Sequence, residues 1–219
     1  MRRVERAAWA TIRKCMKARR LTALPLPIPV DSWIENPLDI RLRIEDLSRL
    51  GPNVLGAAHC TPPEILISET ITEQEARYRF TVAHELGHIV LHSKFAQVFQ
   101  DSDDNTDYAV RRIEREADRF AAAFLMPIPA LCHTLCHEVL KDQDAETFLD
   151  RVRRGDPVSQ SAFSSTVIPH LTRRMGVSSA ALIHRFADVQ LPSGEVAIPE
   201  EVSLRPLPAD LLPYTVRRR

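Results

Sequence analysis

What this sequence lacks narrows the field before any motif is read. No uninterrupted apolar run approaches the roughly 20 residues that a membrane-spanning helix needs. The basic start Met1-Arg2-Arg3 leads into a charged amphipathic stretch and not into the apolar core of a secretory signal. A cytoplasmic protein is therefore expected. Cysteine is scarce: Cys15, Cys60, Cys132 and Cys136 are scattered apart from one i, i+4 pair, which reads as reduced thiols and excludes a disulfide scaffold. Net charge is absent as well. The 29 basic and 29 acidic side chains cancel, so no overall field favours nucleic acid, although residues 1–20 are basic and the chain ends Arg217-Arg218-Arg219. No internal repeat is evident, which excludes a repeat array.

What remains is an ordinary globular composition, 44% hydrophobic and 26% charged over 219 residues, sufficient for a real core in one domain with a small appendage. Residues 1–23 read as a basic N-terminal helix with Val4, Ala8, Ile12, Cys15 and Met16 at helical spacing. Pro25, Pro27 and Pro29 break it from a short helix opened by Asp31. Alternation from Leu38 to Ile44 predicts a half-buried strand, and two more are expected at 54–59 and 64–68. Thr72 to Glu75 has the form of a capping box opening a helix that runs to about His92. A second long helix directs Ile113, Ala117, Phe120, Phe124 and Leu125 to the core and stops at Met126-Pro127. Helices are then expected over 128–152, 159–174 and 178–188 with a turn at Gly176, and the Pro-rich stretch 191–219 reads as an extended tail with one short strand at 195–198. The expected fold class is α+β, mainly helical: a small three-stranded sheet packed on two helices within residues 24–127, followed by a helical subdomain over 128–190.

The chemistry is carried by His84-Glu85-Leu86-Gly87-His88. On a helix the two histidines share a face at i and i+4, where one zinc ion can bridge both rings, and Glu85 stands beside them as candidate general base. A catalytic zinc needs a third protein ligand. His92 does not serve, because it lies about 12 Å along the axis from His84. On the downstream acidic helix Glu114 and Asp118 share a face, whereas Glu116 points about 200° away from Glu114. Glu114 is therefore assigned as the third ligand, Asp118 as the carboxylate that holds a ligand histidine by its distal N–H, and Glu116 as a solvent-facing charge. Zinc activates water, Glu85 moves its proton, and peptide hydrolysis follows, with an extended substrate lying along the edge of the small sheet. Tyr78, His137, His170 and His184 are all candidates to stabilise the oxyanion.

The stretch from Arg79 to His92, with Glu114 to Ala122, Leu125-Met126-Pro127, Pro29-Val30-Asp31 and Gly176-Val177-Ser178, resembles the ImmA/IrrE family of metallopeptidases over roughly residues 24–188. The resemblance implies a compact gluzincin-like peptidase of bacteria or their phages that cleaves a helix-turn-helix repressor and so derepresses stress or mobile-element genes. It also implies metal ligands at His84, His88 and Glu114 and a base at Glu85, with zinc as cofactor and manganese as the alternative. Asp118 departs from the asparagine common at that position, but keeps an acceptor there.

Other readings compete. The helices around Met175 to Ser179 have helix-turn-helix proportions, with Arg173, Arg174, His184 and Arg185 as candidate phosphate contacts, so a DNA-binding or repressor-sequestering regulator is the alternative; direct nucleic-acid binding and membrane association are not expected. Cys132-His133 with Cys136-His137 spells a possible second zinc site, for which helical packing is the preferred explanation. The acidic run 101–107 is read as solvated charge.

Overall fold

A computed structural model describes residues 2–93, 98–100, 108–141, 143–189 and 197–198. The acidic run 101–107 and nearly all of the predicted tail lie outside them. The chain divides into two compact units, Met1–Pro127 and Ile128–Arg219. Among the described residues no single helix is long and apolar enough to cross a membrane.

The first unit begins with α1 (Arg2–Ala18), whose Val4, Ala8, Ile12 and Cys15 are buried along one stripe while Arg3, Arg6, Arg13, Lys14 and Lys17 are exposed. Beyond its end Arg19 donates to the backbone carbonyls of Ser32 and Asn36, fixing α2 (Val30–Glu35) against it. Three strands follow as expected: β1 (Arg41–Glu45), β2 (Gly56–Cys60) and β3 (Pro63–Ser68). A fourth, β4 (Val98–Gln100), joins them in the order β1-β3-β2-β4. β1 runs parallel to β3, and β2 pairs antiparallel with both β3 and β4, so the sheet is small and mixed. β1 is an edge strand, and its Ile44 is 53% exposed. Glu64 on β3 lies within 3.7 Å of both Arg41 and Arg43 on β1, and charge of this kind protects an edge from further pairing.

Two long helices complete the unit. α3 (Glu75–His92) is buried without interruption from Thr81 to His88, because it is packed against the sheet on one side and α2 and α4 (Tyr108–Leu125) on others. Its start corrects one expectation. The helix is capped at Gln74 with no side-chain hydrogen bond, and the Thr72 hydroxyl instead donates to the Glu69 carbonyl at 2.8 Å, closing a 3₁₀ turn before the helix opens. Gly87 sets the helix spacing: a Cβ there would stand 3.2 Å from the Ala117 Cα and from the Phe120 ring, tighter than nearly all real contacts. Phe120 stacks on Phe124, which meets Trp33 of α2 edge to face.

The second unit is helical: α5 (Ile128–His133) running into a π turn (Thr134–Val139), α6 (Ala145–Arg153), α7 (Pro157–Ala162), a second π turn (Phe163–Val167), α8 (Ile168–Met175) and α9 (Ser179–Asp188). The single helix expected over 128–152 is broken. Lys141 adopts a left-handed φ of 48° and Asp144 caps a new helix by accepting from the Thr147 N–H. Asp156 caps α7 in the same way, with Pro157 at the first helical position, and Gly176 at φ 65° ends α8 where the turn was expected. Phe148, Phe163 and Phe186 form the aromatic centre of this unit. Of the strand expected at 195–198, only Ala197 and Ile198 are described; both are buried, and their N–H groups donate to Val189 and Phe186.

Candidate metal centre

His84 and His88 stand one turn apart on α3, and their Nε2 atoms are 2.9 Å apart. From α4, Glu114 brings Oε2 to 3.1 Å from His84 Nε2 and 3.4 Å from His88 Nε2. Donors held tetrahedrally at bonds of about 2.0–2.2 Å lie about 3.3–3.6 Å from one another, so separations of this size fit one divalent cation. All three donor atoms fall within 4.8 Å, and among the described residues no other group of three His, Cys, Asp or Glu does so. Two imidazole nitrogens and one carboxylate oxygen form a set suited to zinc that leaves a fourth position for water. The close helix approach at Gly87 is what lets Glu114 reach across.

The electrostatics follow from burial and pairing. The His84 ring is buried, which disfavours its charge. Its Nδ1 lies 2.9 Å from Asp118 Oδ1 and its Nε2 faces Glu114, and with the charge of Glu85 these contacts prevail and hold its pKa well above the ordinary histidine value. Burial likewise opposes ionisation of Glu114, but hydrogen bonds from His84 and His88 bring its pKa down to about 2.

Glu85 is 0% exposed and neighbours His88 at i, i+3. It lies against the start of β2: a Cβ built on Gly56 would be 2.4 Å from Glu85 Oε1. This places a carboxylate in the interior beside the metal donors, the environment in which a general base is tuned. β2 is not a free edge at this point, because Ala57, Ala58 and His59 pair with β4. Strand addition along β2 is therefore closed over those residues, and among the described strands the sheet edges are β1 and β4.

The structure brings His84, Glu85, His88, Glu114 and Asp118 into one cluster. It departs from expectation at Glu116. Glu116 does not face solvent: its side chain is 18% exposed, accepts from His92 Nε2 at 3.3 Å and pairs with Arg3 of α1. His92, set aside as a ligand, is 1% exposed with Nδ1 3.3 Å from His88 Nδ1. Burial and the nearby His88 hold its pKa below the ordinary value despite Glu116. The signal was the succession of histidines at i, i+4 and i+8, in which each ring sits one turn from the last.

Among the oxyanion candidates, Tyr78 is hydrogen-bonded to Asp31 and its pKa is pushed up to about 12, chiefly by burial and by the Asp31 carboxylate. His137, His170 and His184 belong to the second unit, where His170 lies 3.3 Å from Glu138. Of the candidate phosphate contacts, Arg174 is paired with Glu138 and Arg185 is 1% exposed, so neither presents an open cation to a phosphate. Cys132, His133, Cys136 and His137 follow one another along α5 and its π turn without gathering three donors.

Comparison with known proteins agrees with this geometry. A family model described as the IrrE N-terminal-like domain, a peptidase family, matches residues 38–187. No curated protein matches the chain. Among solved structures, a Mycobacterium tuberculosis transcriptional regulator superposes with a TM-score of 0.52 at 18% identity, over 86% of this chain and 49% of that one. At that identity the likeness concerns the fold alone, and the chain spans about half that protein's length.

Proposed function

The chain belongs to the ImmA/IrrE family of metallopeptidases through its IrrE N-terminal-like domain, and from that footing we propose that it is a zinc-dependent endopeptidase of the cytoplasm whose substrate is a helix-turn-helix repressor. The observation that carries the catalytic part is the convergence of His84, His88 and Glu114 donors within 4.8 Å, next to a fully buried Glu85. In this reading the three residues hold the metal and Asp118 orients His84 through Nδ1. A bound zinc or manganese ion would supply electrophilic activation of water and of the scissile carbonyl. Glu85 accepts the proton of the attacking water and delivers it to the leaving amine. Burial of Glu85 against Gly56 limits the positions its carboxylate can take, so the proton acceptor stays aimed.

The repressor as substrate is supported by family membership and is compatible with a structural neighbour that is itself a transcriptional regulator. That neighbour is equally compatible with a regulator that sequesters a repressor or binds DNA. Glu85→Gln separates these readings, since it keeps the side-chain shape but removes the base. Cleavage of a co-expressed helix-turn-helix repressor, followed by fragment mass, should fall by at least about 10²-fold in Glu85→Gln with zinc content unchanged. Full derepression by Glu85→Gln would establish sequestration instead, and a mobility shift persisting at elevated salt would favour DNA binding.

A further inference from the structure

Four side chains form a line from the first helix to the candidate metal centre: Arg3, Glu116, His92 and His88. His92 Nδ1 meets His88 at Nδ1, the ring nitrogen opposite the one that faces His84 and Glu114. At its other side His92 meets Glu116 Oε2. Glu116 is held in turn by Arg112 on its own helix at 3.3 Å and by Arg3 of α1. If His88 gives Nε2 to a metal, its proton must reside on Nδ1, and only one arrangement of protons then satisfies the line. His88 Nδ1–H donates to His92 Nδ1, and His92 Nε2–H donates to the Glu116 carboxylate. Each donor finds an acceptor with none left over.

We propose that His92 and Glu116 are positioning residues that fix the ring and tautomer of His88, with Arg3 clamping the outer end of the line. This rests on the reading of His84, His88 and Glu114 as a metal centre. The two metal histidines then have unlike supports. His84 leans on Asp118, whose side chain is 56% exposed, so water can replace that partner. His88 leans on a side chain that is 2% exposed, so solvent does not readily take its place. The clamp comes from α1, which belongs to the same compact unit but precedes the residues matched by the family model.

The test is zinc affinity of the full chain, measured by competition with a chromophoric chelator. His92→Phe keeps a ring in the buried space but neither hydrogen bond, and should lose about 10–100-fold in affinity. His92→Asn, whose amide oxygen can accept where Nδ1 did, should recover most of that loss, a rescue that packing alone would not produce. Glu116→Ala should weaken binding several-fold. In the zinc-loaded wild type, imidazole ¹⁵N shifts should show His88 protonated at Nδ1 with that proton slow to exchange. A folded His92→Phe that binds zinc like wild type overturns the proposal; if His92→Phe does not fold, unchanged affinity in Glu116→Ala overturns it. A wild type that binds no zinc removes the metal-centre reading itself, an outcome distinct from equal binding by wild type and variants.

Discussion

Gly56 and Glu85 are fitted to one another: the missing Cβ of the glycine is the space in which the carboxylate lies, 2.4 Å from Oε1 and 2.9 Å from the neighbouring Thr81 methyl. Any side chain at position 56 must displace Glu85 within a buried site. Gly56→Ala should therefore lower kcat for repressor cleavage by about 10²-fold, the scale on which a displacement of about 1 Å costs a positioned group. Its zinc content, by elemental analysis, should stay at the wild-type level. Undiminished kcat would show that the carboxylate can relocate without consequence.

Gly87→Ala sets two effects against each other. Alanine favours the helix over glycine by about 1 kcal/mol, whereas overpacking costs about 1–3 kcal/mol. The obstructing atoms include the Ala117 Cα at 3.2 Å, which is backbone and yields only if α4 moves. A net loss of about 1 kcal/mol in urea unfolding is expected, together with weaker zinc binding because Glu114 travels with α4. Increased stability with unaltered zinc affinity would contradict this.

Asp118→Asn should stay within a few-fold of wild-type zinc affinity, since an amide oxygen still accepts from His84 Nδ1 2.9 Å away. Asp118→Ala should lose about 10-fold, the low end for a residue that orients a metal ligand, because its exposure admits a substituting water. Equal losses in both variants would mean that charge and not hydrogen-bond acceptance matters.

Asp156 gives a pH dependence within the second unit. Its hydrogen bonds from Ser159, at 2.8 Å for the backbone N–H, hold its carboxyl below the ordinary value. A depressed folded-state pKa contributes stability above the unfolded value near 3.8, and that contribution disappears as pH falls through the folded value. Asp156→Ala should cost about 1 kcal/mol at neutral pH, and denaturant titrations should show the difference shrinking below about pH 4. A gap that persists undiminished at pH 2 would point to lost packing instead of a lost cap.

Much of this was legible in the sequence for identifiable reasons. The histidine spacing and the apolar faces of α3 and α4 are periodic, and periodicity survives without knowledge of partners. Glu114 stands out in the sequence because it shares a helix face with Asp118, and its Oε2 lies 3.1 and 3.4 Å from the two Nε2 atoms. The same face argument failed for Glu116. It treated α4 as having one neighbour, whereas the helix also packs on α1, and Arg3 and His92 meet Glu116 there. Thr72 misled because a Thr-x-x-Glu pattern cannot reveal that the hydroxyl is already committed to Glu69. The break before α6 carried no glycine or proline; its signal was Asp144 three residues before Thr147, a cap visible only once one looks for a helix start inside an apparently continuous one.

The contact of Gly87 with Ala117 is one of main chain against main chain, so the spacing of the donors does not depend on what the outer surface of α4 displays. Arg111, Arg115 and Arg119 form an exposed row on that surface. A fluorophore or crosslinker introduced along that row would ride on the very helix that carries Glu114, which makes it a natural handle for following how α4 moves against α3.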